Sequence, residues 1–311
     1  MIMIVVWHFV VYGMGINDCR NTGFQWDYNI YASFLCPFLC FHVNCFNFIS
    51  GFYGINFKVK KIVVLYLLLI FFTFTTYLIA IFTGKIFDRR EFVHDLLCSY
   101  QNWWYMTCYF MLLLIAPLLN KGIDCMEKNL LRNLIIVYYI VLILPSMVWN
   151  QATNMALFIF IYIVGRYLKK YNNKIIENNA GKIFLFCILA LFLIRYIGWY
   201  FQCSYLYLQS ISYNNPIVIL AGISFFYVFQ TKNIKTDIFF FSRIIPGILT
   251  VYLVSDSAYL RMPFNIFVVS LVNGNLIMLC IMALLFTVVI SYLGGLLYKF
   301  LTFGYDYLFS I

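Results

Sequence analysis

The charged residues of this chain fall almost entirely in short gaps between long apolar runs, and its lysines and arginines collect in alternate gaps. Charged types make up 10% of the 311 residues and hydrophobic types 64%, so lipid rather than water is the solvent the chain is built for. Bilayer hydrocarbon is roughly 30 Å thick, and a helix that crosses it needs about 20 apolar residues. Runs of that kind predict about ten spans: 1–14, 30–53, 62–83, 103–119, 133–149, 152–168, 183–200, 214–230, 238–254 and 270–298, the last long enough to tilt or kink. The expected fold is all-α, a polytopic membrane helical bundle in which residues 1–311 form a single integral-membrane domain. A β-barrel is disfavoured, because the runs are continuous instead of alternating apolar and polar.

The basic residues set the orientation. Lys58, Lys60 and Lys61 follow the second span; Lys121, Lys128 and Arg132 follow the fourth; Arg166, Lys169, Lys170, Lys174 and Lys182 follow the sixth; Lys232, Lys235 and Arg243 belong to the eighth gap. The odd gaps carry Arg20, Lys85, Arg89, Arg90 and Arg261, offset by Asp18, Asp27, Asp88, Glu91, Asp95 and Asp256. The positive-inside rule therefore predicts cytoplasmic even gaps and cytoplasmic N- and C-termini. The net charge of +10 reflects this topology, and no nucleic-acid partner is expected.

At 1.5 Å per residue, positions 1–14 extend about 21 Å, short of the hydrocarbon core. The first helix is expected to be N-terminally truncated and completed upstream of Met1; the alternative is a segment that does not cross fully. It has neither the charged start nor the small-residue cleavage site of a signal peptide.

The ten cysteines show no CxxC or zinc-type spacing, so no metal is expected. Cys36 and Cys40 share a helix face but lack further ligands and read as buried small hydrophobes. Cys19, Cys98 and Cys203 fall on the outer side by this topology, and nothing selects a disulfide pair among them.

Three histidines are present. His94 stands in a polar outer gap and reads as solvated. His42 lies in the second span with Asn44, Asn47 and Ser50 following, which favours a packing role. His8 interrupts an otherwise apolar run, where a polar side chain must face a cavity or a partner. Taken alone it reads equally as structural or functional. Around these lie polar-aromatic strings: Asn44-Cys45 through Phe48-Ile-Ser-Gly-Phe52; Trp104-Tyr105, Tyr109 and Pro117-Leu-Leu-Asn120; Tyr162 with Gly165-Arg-Tyr-Leu-Lys-Lys-Tyr171; Tyr213-Asn-Asn-Pro216; and Val251-Tyr-Leu-Val254. Tyr213-Asn-Asn-Pro216 offers a cap and a first-turn proline for the eighth span.

In this order, with His8 in the first span, the strings make the chain resemble, end to end, the acyltransferase 3 family of bacterial membrane O-acyltransferases, polysaccharide O-acetyltransferases in particular. Two departures stand out. The family places a basic residue ahead of the first-span histidine, and its counterpart here would precede Met1. Relatives often carry a histidine after the Val251–Val254 string, where this chain has Ser255.

The resemblance implies transfer of an acyl group, usually acetyl, from acyl-CoA to a sugar hydroxyl of a surface polysaccharide or its lipid-linked precursor. Acyl-CoA would be a donor substrate and no cofactor would stay bound. His8 would be the catalytic residue, as general base or by way of an acyl intermediate. Lys58, Lys60, Lys61, Arg166 and Arg243 would meet the phosphates of acyl-CoA, although positive-inside anchoring explains the same lysines. Arg195, Trp104 and Tyr105 would face the acceptor, although Trp104 also fits an interfacial belt. Arg89 and Arg90 read more simply as a solvated loop than as polysaccharide contacts. The expected location is the bacterial inner membrane. A transporter or flippase for a lipid-linked glycan fits the same composition, yet it predicts matched repeats, which the sequence lacks, and gives His8 no role. Acyl group, acceptor sugar and oligomeric state are not legible in the sequence.

Overall fold

A computed structural model describes residues 1–16, 32–84, 88–97, 103–148, 154–230, 242–257 and 259–309. Of the residues singled out above, Asp18, Cys19, Arg20, Asp27, Lys85, Cys98, Lys232 and Lys235 lie outside the described residues. Among the described residues the chain is helical throughout, and it is an all-α membrane protein. In chain order the helices are α1 (Ile2–His8), continued by a π-helical turn over Phe9–Gly13, α2 (Cys36–Leu39), α3 (His42–Tyr53), α4 (Val59–Phe82), α5 (Arg89–Leu96), α6 (Trp104–Cys125) and α7 (Lys128–Tyr138). A second π-turn, Tyr139–Ile143, leads into α8 (Leu144–Val148). Then come α9 (Asn154–Tyr171), α10 (Lys174–Tyr200), α11 (Ser204–Gln209), α12 (Pro216–Gln230), α13 (Ile248–Ser255), α14 (Arg261–Leu271) and α15 (Leu276–Phe309).

Local chemistry explains many of the boundaries. Asp88 caps α5 by accepting from the amides of Arg90 and Glu91 at 2.8 and 3.2 Å, and Asn173 caps α10 in the same way. Asn215 accepts from the Ile217 amide at 2.9 Å, with Pro216 in the first turn of α12, as the Tyr213–Pro216 string predicts. The second π-turn stands just ahead of Pro145, whose ring lacks a donor and would clash with the carbonyl four residues back in a regular helix. The span predicted at 270–298 is found as one helix that starts later, at Leu276. α14 stops at Leu271, and Asn273 (φ 47°) and Gly274 (φ 66°) turn the chain through left-handed conformations. The Asn275 side chain then caps a new helix running to Phe309.

Among the described residues, five helical segments are long and apolar enough to cross a membrane: Val59–Phe82, Trp104–Cys125, Lys128–Val148, Lys174–Tyr200 and Leu276–Leu308. Ile2–Gly13, Pro216–Gln230, Ser242–Ser255 and Arg261–Leu271 are shorter apolar helices. The apolar residues of α15 mostly face outward, with Leu284, Leu285, Val289, Leu293 and Phe300 all exposed, the arrangement expected where lipid surrounds a helix.

The chain groups into two compact units, each built from discontinuous stretches. The first holds 1–18, 58–107 and 235–311. Within it α13 crosses α15 at very close range, because a Cβ on Gly247 would collide with the backbone of Ser291 and Gly295, and one on Gly294 with Thr250. Thr250 uses the proximity, donating across the crossing to the Ile290 carbonyl at 3.1 Å. α1 packs on both of these helices, and the π-turn packs on α14.

The second unit holds 19–57 and 108–234. α3 and α9 meet through Gly51 and Gly165, each of which lies against the other helix's backbone, and Asn47 donates across the contact to the Phe158 carbonyl at 3.0 Å. Tyr162 takes a hydrogen bond from the Ile55 amide and gives one to Asn120 at 2.8 Å, so the segment after Gly54 is pinned to α6 and α9.

Candidate functional site

His8 ends the α-helical part of the first segment and is buried. The π-turn that follows, closed by the Met14 amide on the Phe9 carbonyl at 3.1 Å, is a rare conformation that tends to accompany functional positions. It ends at Gly13, where a Cβ would come within 2.7 Å of the Asn265 carbonyl oxygen on α14. The close fit holds the first segment against α14.

Three elements converge on the imidazole. His8 Nδ1 lies 2.9 Å from Ser255 Oγ at the C-terminal end of α13, in a fully buried contact. Tyr12, one turn along the first segment, sets its ring 5.4 Å from the His8 ring. From α14, Asn265 donates to the Ser255 carbonyl at 3.3 Å and to the Arg261 carbonyl, which joins the end of α13 to the start of α14.

Beside this contact lies an ion pair between the buried Asp256 and the partly exposed Arg261. Arg261 Nε stands 2.8 Å from Asp256 Oδ1, with Asp256 only 2% exposed. Arg261 Nη2 also donates to the Asp256 carbonyl at 3.2 Å. The guanidinium lies over the Tyr12 ring at 5.2 Å. The hydroxyls of Tyr252 and Tyr12 are directed at the same carboxyl group. Burial pushes the Asp256 carboxyl up to about 6, and the Arg261 guanidinium and the hydrogen bonds oppose that shift. Tyr252 in turn carries Trp103 at 6.0 Å and Tyr105 at 5.4 Å on its ring. His8, Ser255, Asp256, Arg261, Tyr12 and Tyr252 thus form one polar island in an apolar unit.

The other residues named from the sequence are distributed as follows. Tyr105 joins the island through Tyr252, and Trp104 packs edge-on against Tyr105 at 6.0 Å. Lys58, Lys60 and Lys61 stand at the N-terminal end of α4, where Lys60 pairs with Asp306 at 2.6 Å near the end of α15. Arg243 is half-buried, and its carbonyl lies against Gly295. Eleven residues of α15, about 16 Å at 1.5 Å each, separate Gly295 from Asp306. The Arg243 backbone and the Lys60 edge therefore meet α15 at different levels.

Arg166 belongs to the second unit, 3.2 Å from Asp124 and against Gly54. Lys170 donates to the carbonyls of Ile123, Asp124 and Met126, a cationic cap on the end of α6. Arg195 is wholly enclosed. Its Nη1 donates to the Tyr207 carbonyl and Ser210 Oγ at 3.2 Å each, its guanidinium lies 3.8 Å above the Tyr207 ring, and among the described residues Nε and Nη2 make no hydrogen bond. His42 bonds the Leu39 carbonyl, whereas Asn44 and Asn47 reach Tyr213 and Phe158 instead of His42. His94 lines an open surface pocket of about 410 Å³ with Arg89, Arg90, Val93 and Leu97. Cys203 carries a free thiol.

Sequence reasoning missed the company His8 keeps. Asp256 and Arg261 read as offsetting charges in an outer gap, and Tyr12 and Tyr252 as ordinary aromatics of a span. Ser255 read as a departure whose role was in doubt, and the structure seats it on the imidazole. The available signal was slight: a serine and an aspartate together at the end of an apolar run, followed shortly by an arginine.

A family model described as an acyltransferase domain, acyltransferase 3, matches residues 1–298. Comparison with curated proteins and with solved structures gives no match.

Proposed function

The chain belongs to the acyltransferase 3 family, and on that premise we propose that it moves an acyl group, most often acetyl, from acyl-CoA to a sugar hydroxyl of a surface polysaccharide or of its lipid-linked precursor. The observation that carries the catalytic part of this reading is the buried contact of His8 with Ser255 beside the Asp256–Arg261 pair. A lone histidine in an apolar segment with this polar surrounding is equipped for proton transfer rather than for packing alone.

In the proposed reaction the acceptor oxygen attacks the thioester carbonyl carbon while neutral His8 takes the hydroxyl proton. The carbon–sulfur bond then breaks, and the imidazolium returns the proton to the departing thiolate, leaving the ester and free CoA. No group remains on the enzyme. Within the first unit the phosphates of the donor would be met by Lys58, Lys60, Lys61 and Arg243, through charge-assisted hydrogen bonds. Arg243 and Ser255 are twelve residues apart along one helical segment, about 18 Å, so a donor with phosphates at one end and a thioester at the other matches the spacing. Tyr105, with Trp104 beside it, is proposed to line the acceptor side through its contact with Tyr252. Arg195 is not assigned an acceptor contact, because the protein encloses it completely. The even gaps and both termini are proposed to face the cytoplasm of a bacterial inner membrane, where acyl-CoA is made.

The test is the ester content of the host's surface polysaccharide, measured by NMR in a deletion strain that expresses either the wild-type chain or His8→Ala at equal membrane abundance. Restoration of acyl esters by the wild type alone is the expected result. If deletion leaves acylation intact and changes glycan export or chain length, the reading fails.

A further inference from the structure

A histidine acting as a general base works through one ring nitrogen, and the hydrogen bond at the other nitrogen decides which. In His8, Nδ1 lies 2.9 Å from Ser255 Oγ. The hydroxyl can give or accept this bond, and its surroundings choose. Ser255 is the last residue of α13, where backbone carbonyls without intrahelical partners collect the partial negative charge of the helix end. The Asp256 carboxyl follows directly, with Arg261 at 2.8 Å offsetting its charge, so the helix end supplies the field. A negative field favours an N–H dipole aimed into it over a nitrogen lone pair. Asn265 holds the Ser255 carbonyl from α14, and Gly13 seats the first segment on the same helix, so donor and acceptor are fixed from both sides.

We infer that Ser255 is a positioning residue for the reaction: it accepts the Nδ1–H of His8, holds the ring, and leaves the lone pair on Nε2, the atom that takes the acceptor proton. This inference rests on the acyltransferase reading and assigns the atom of His8 through which it operates. Ser255 meets His8 with a neutral hydroxyl that orients the ring without a titration of its own.

The experiment uses the full chain in lipid nanodiscs with ¹⁵N-labelled histidine. The chain has only three histidines, so substituting His42 and His94 one at a time assigns the signals. The ¹⁵N shifts of neutral His8 report which nitrogen holds the proton. The expected result is Nδ1–H in the wild type and in Ser255→Thr, and a mixture of tautomers in Ser255→Ala. In a parallel assay with acetyl-CoA and de-esterified host polysaccharide, Ser255→Ala should lower kcat about tenfold with KM for acetyl-CoA unchanged, and Ser255→Thr should recover most of it.

A wild-type His8 protonated on Nε2, an unchanged kcat and pH profile in Ser255→Ala, or an acyl group found on Ser255 by mass spectrometry each overturns the positioning role. Transfer accompanied by the wrong tautomer sinks this inference alone. A wild-type chain that shows the Nδ1 proton and transfers no acetyl group sinks the acyltransferase reading, and the catalytic meaning of Ser255 with it.

Discussion

His8 Nδ1 and Ser255 Oγ lie 2.9 Å apart, both buried, although 247 positions separate them in the chain. Two helices of ordinary apolar composition thereby bring their polar residues to one point. Removing the imidazole should have separable consequences for chemistry and for stability. His8→Ala is expected to lower the transfer rate by about 10²-fold or more, the usual worth of a general base. It also leaves the Ser255 hydroxyl without this partner, at a cost of about 1–2 kcal/mol in stability. Initial rates and thermal melting on the same preparation separate the two.

Asp256 predicts a pH dependence. Its carboxyl titrates at about 6 in the folded protein against an ordinary value of 3.8. Between those values the folded state binds the proton more tightly than the unfolded state. The stabilisation is therefore complete below about pH 4 and is lost as pH rises through 6, at up to about 1.4 kcal/mol per pH unit. Melting curves of wild type and Asp256→Asn from pH 4 to 7 should differ in slope with this sign. Parallel slopes would show that Asp256 does not titrate in that window.

Arg195 is expected to matter for folding rather than for turnover. Its guanidinium joins α10 to the Tyr207–Ser210 segment and lies on the Tyr207 ring. Arg195→Ala removes those hydrogen bonds and the stacking and should cost about 3 kcal/mol. Arg195→Lys keeps the charge but loses the planar contact and should recover only part of it. A fall in melting temperature with an unchanged KM for acceptor in the folded fraction is the expected pattern, and a raised KM would return Arg195 to the acceptor site.

Gly51 and Gly165 set how near α3 and α9 approach. Gly165→Val would drive side-chain atoms into the Phe48 carbonyl and the Phe52 amide, which lie under 3 Å from an added Cβ. Overpacking of this kind costs about 1–3 kcal/mol, so thermal melting should fall by several degrees. The same change at Gly122, which has nothing within 4 Å, is the control and should leave melting nearly unaltered.

The Lys60–Asp306 pair is exposed, at 39% and 56% of the side chains. Such pairs add little to stability, so Asp306→Ala should leave the melting temperature within about a degree of wild type. Lys60→Ala is the informative partner. If Lys60 meets the donor's phosphates, KM for acetyl-CoA rises severalfold at constant kcat; an unchanged KM assigns Lys60 to anchoring alone.

The sequence by itself determined the membrane class, the helical fold and the places of most spans, because a bilayer demands long uninterrupted apolar runs and pushes charge into the gaps. It also singled out His8, since a polar side chain in such a run is conspicuous. The start of α12 was legible for a local reason, an asparagine cap before a proline. The break at residues 272–275 was not, because Val272-Asn-Gly-Asn275 is too short to interrupt an apolar average and shows itself only in backbone angles. Nor could the sequence tell that Arg195 is enclosed or that Ser255 meets His8. Apolar helices resemble one another along their length, and which faces meet is settled by close approach at residues such as Gly13, Gly247 and Gly294 and by hydrogen bonds between distant helices. Tertiary packing alone decided that a histidine, a serine, an aspartate, an arginine and two tyrosines meet in one place.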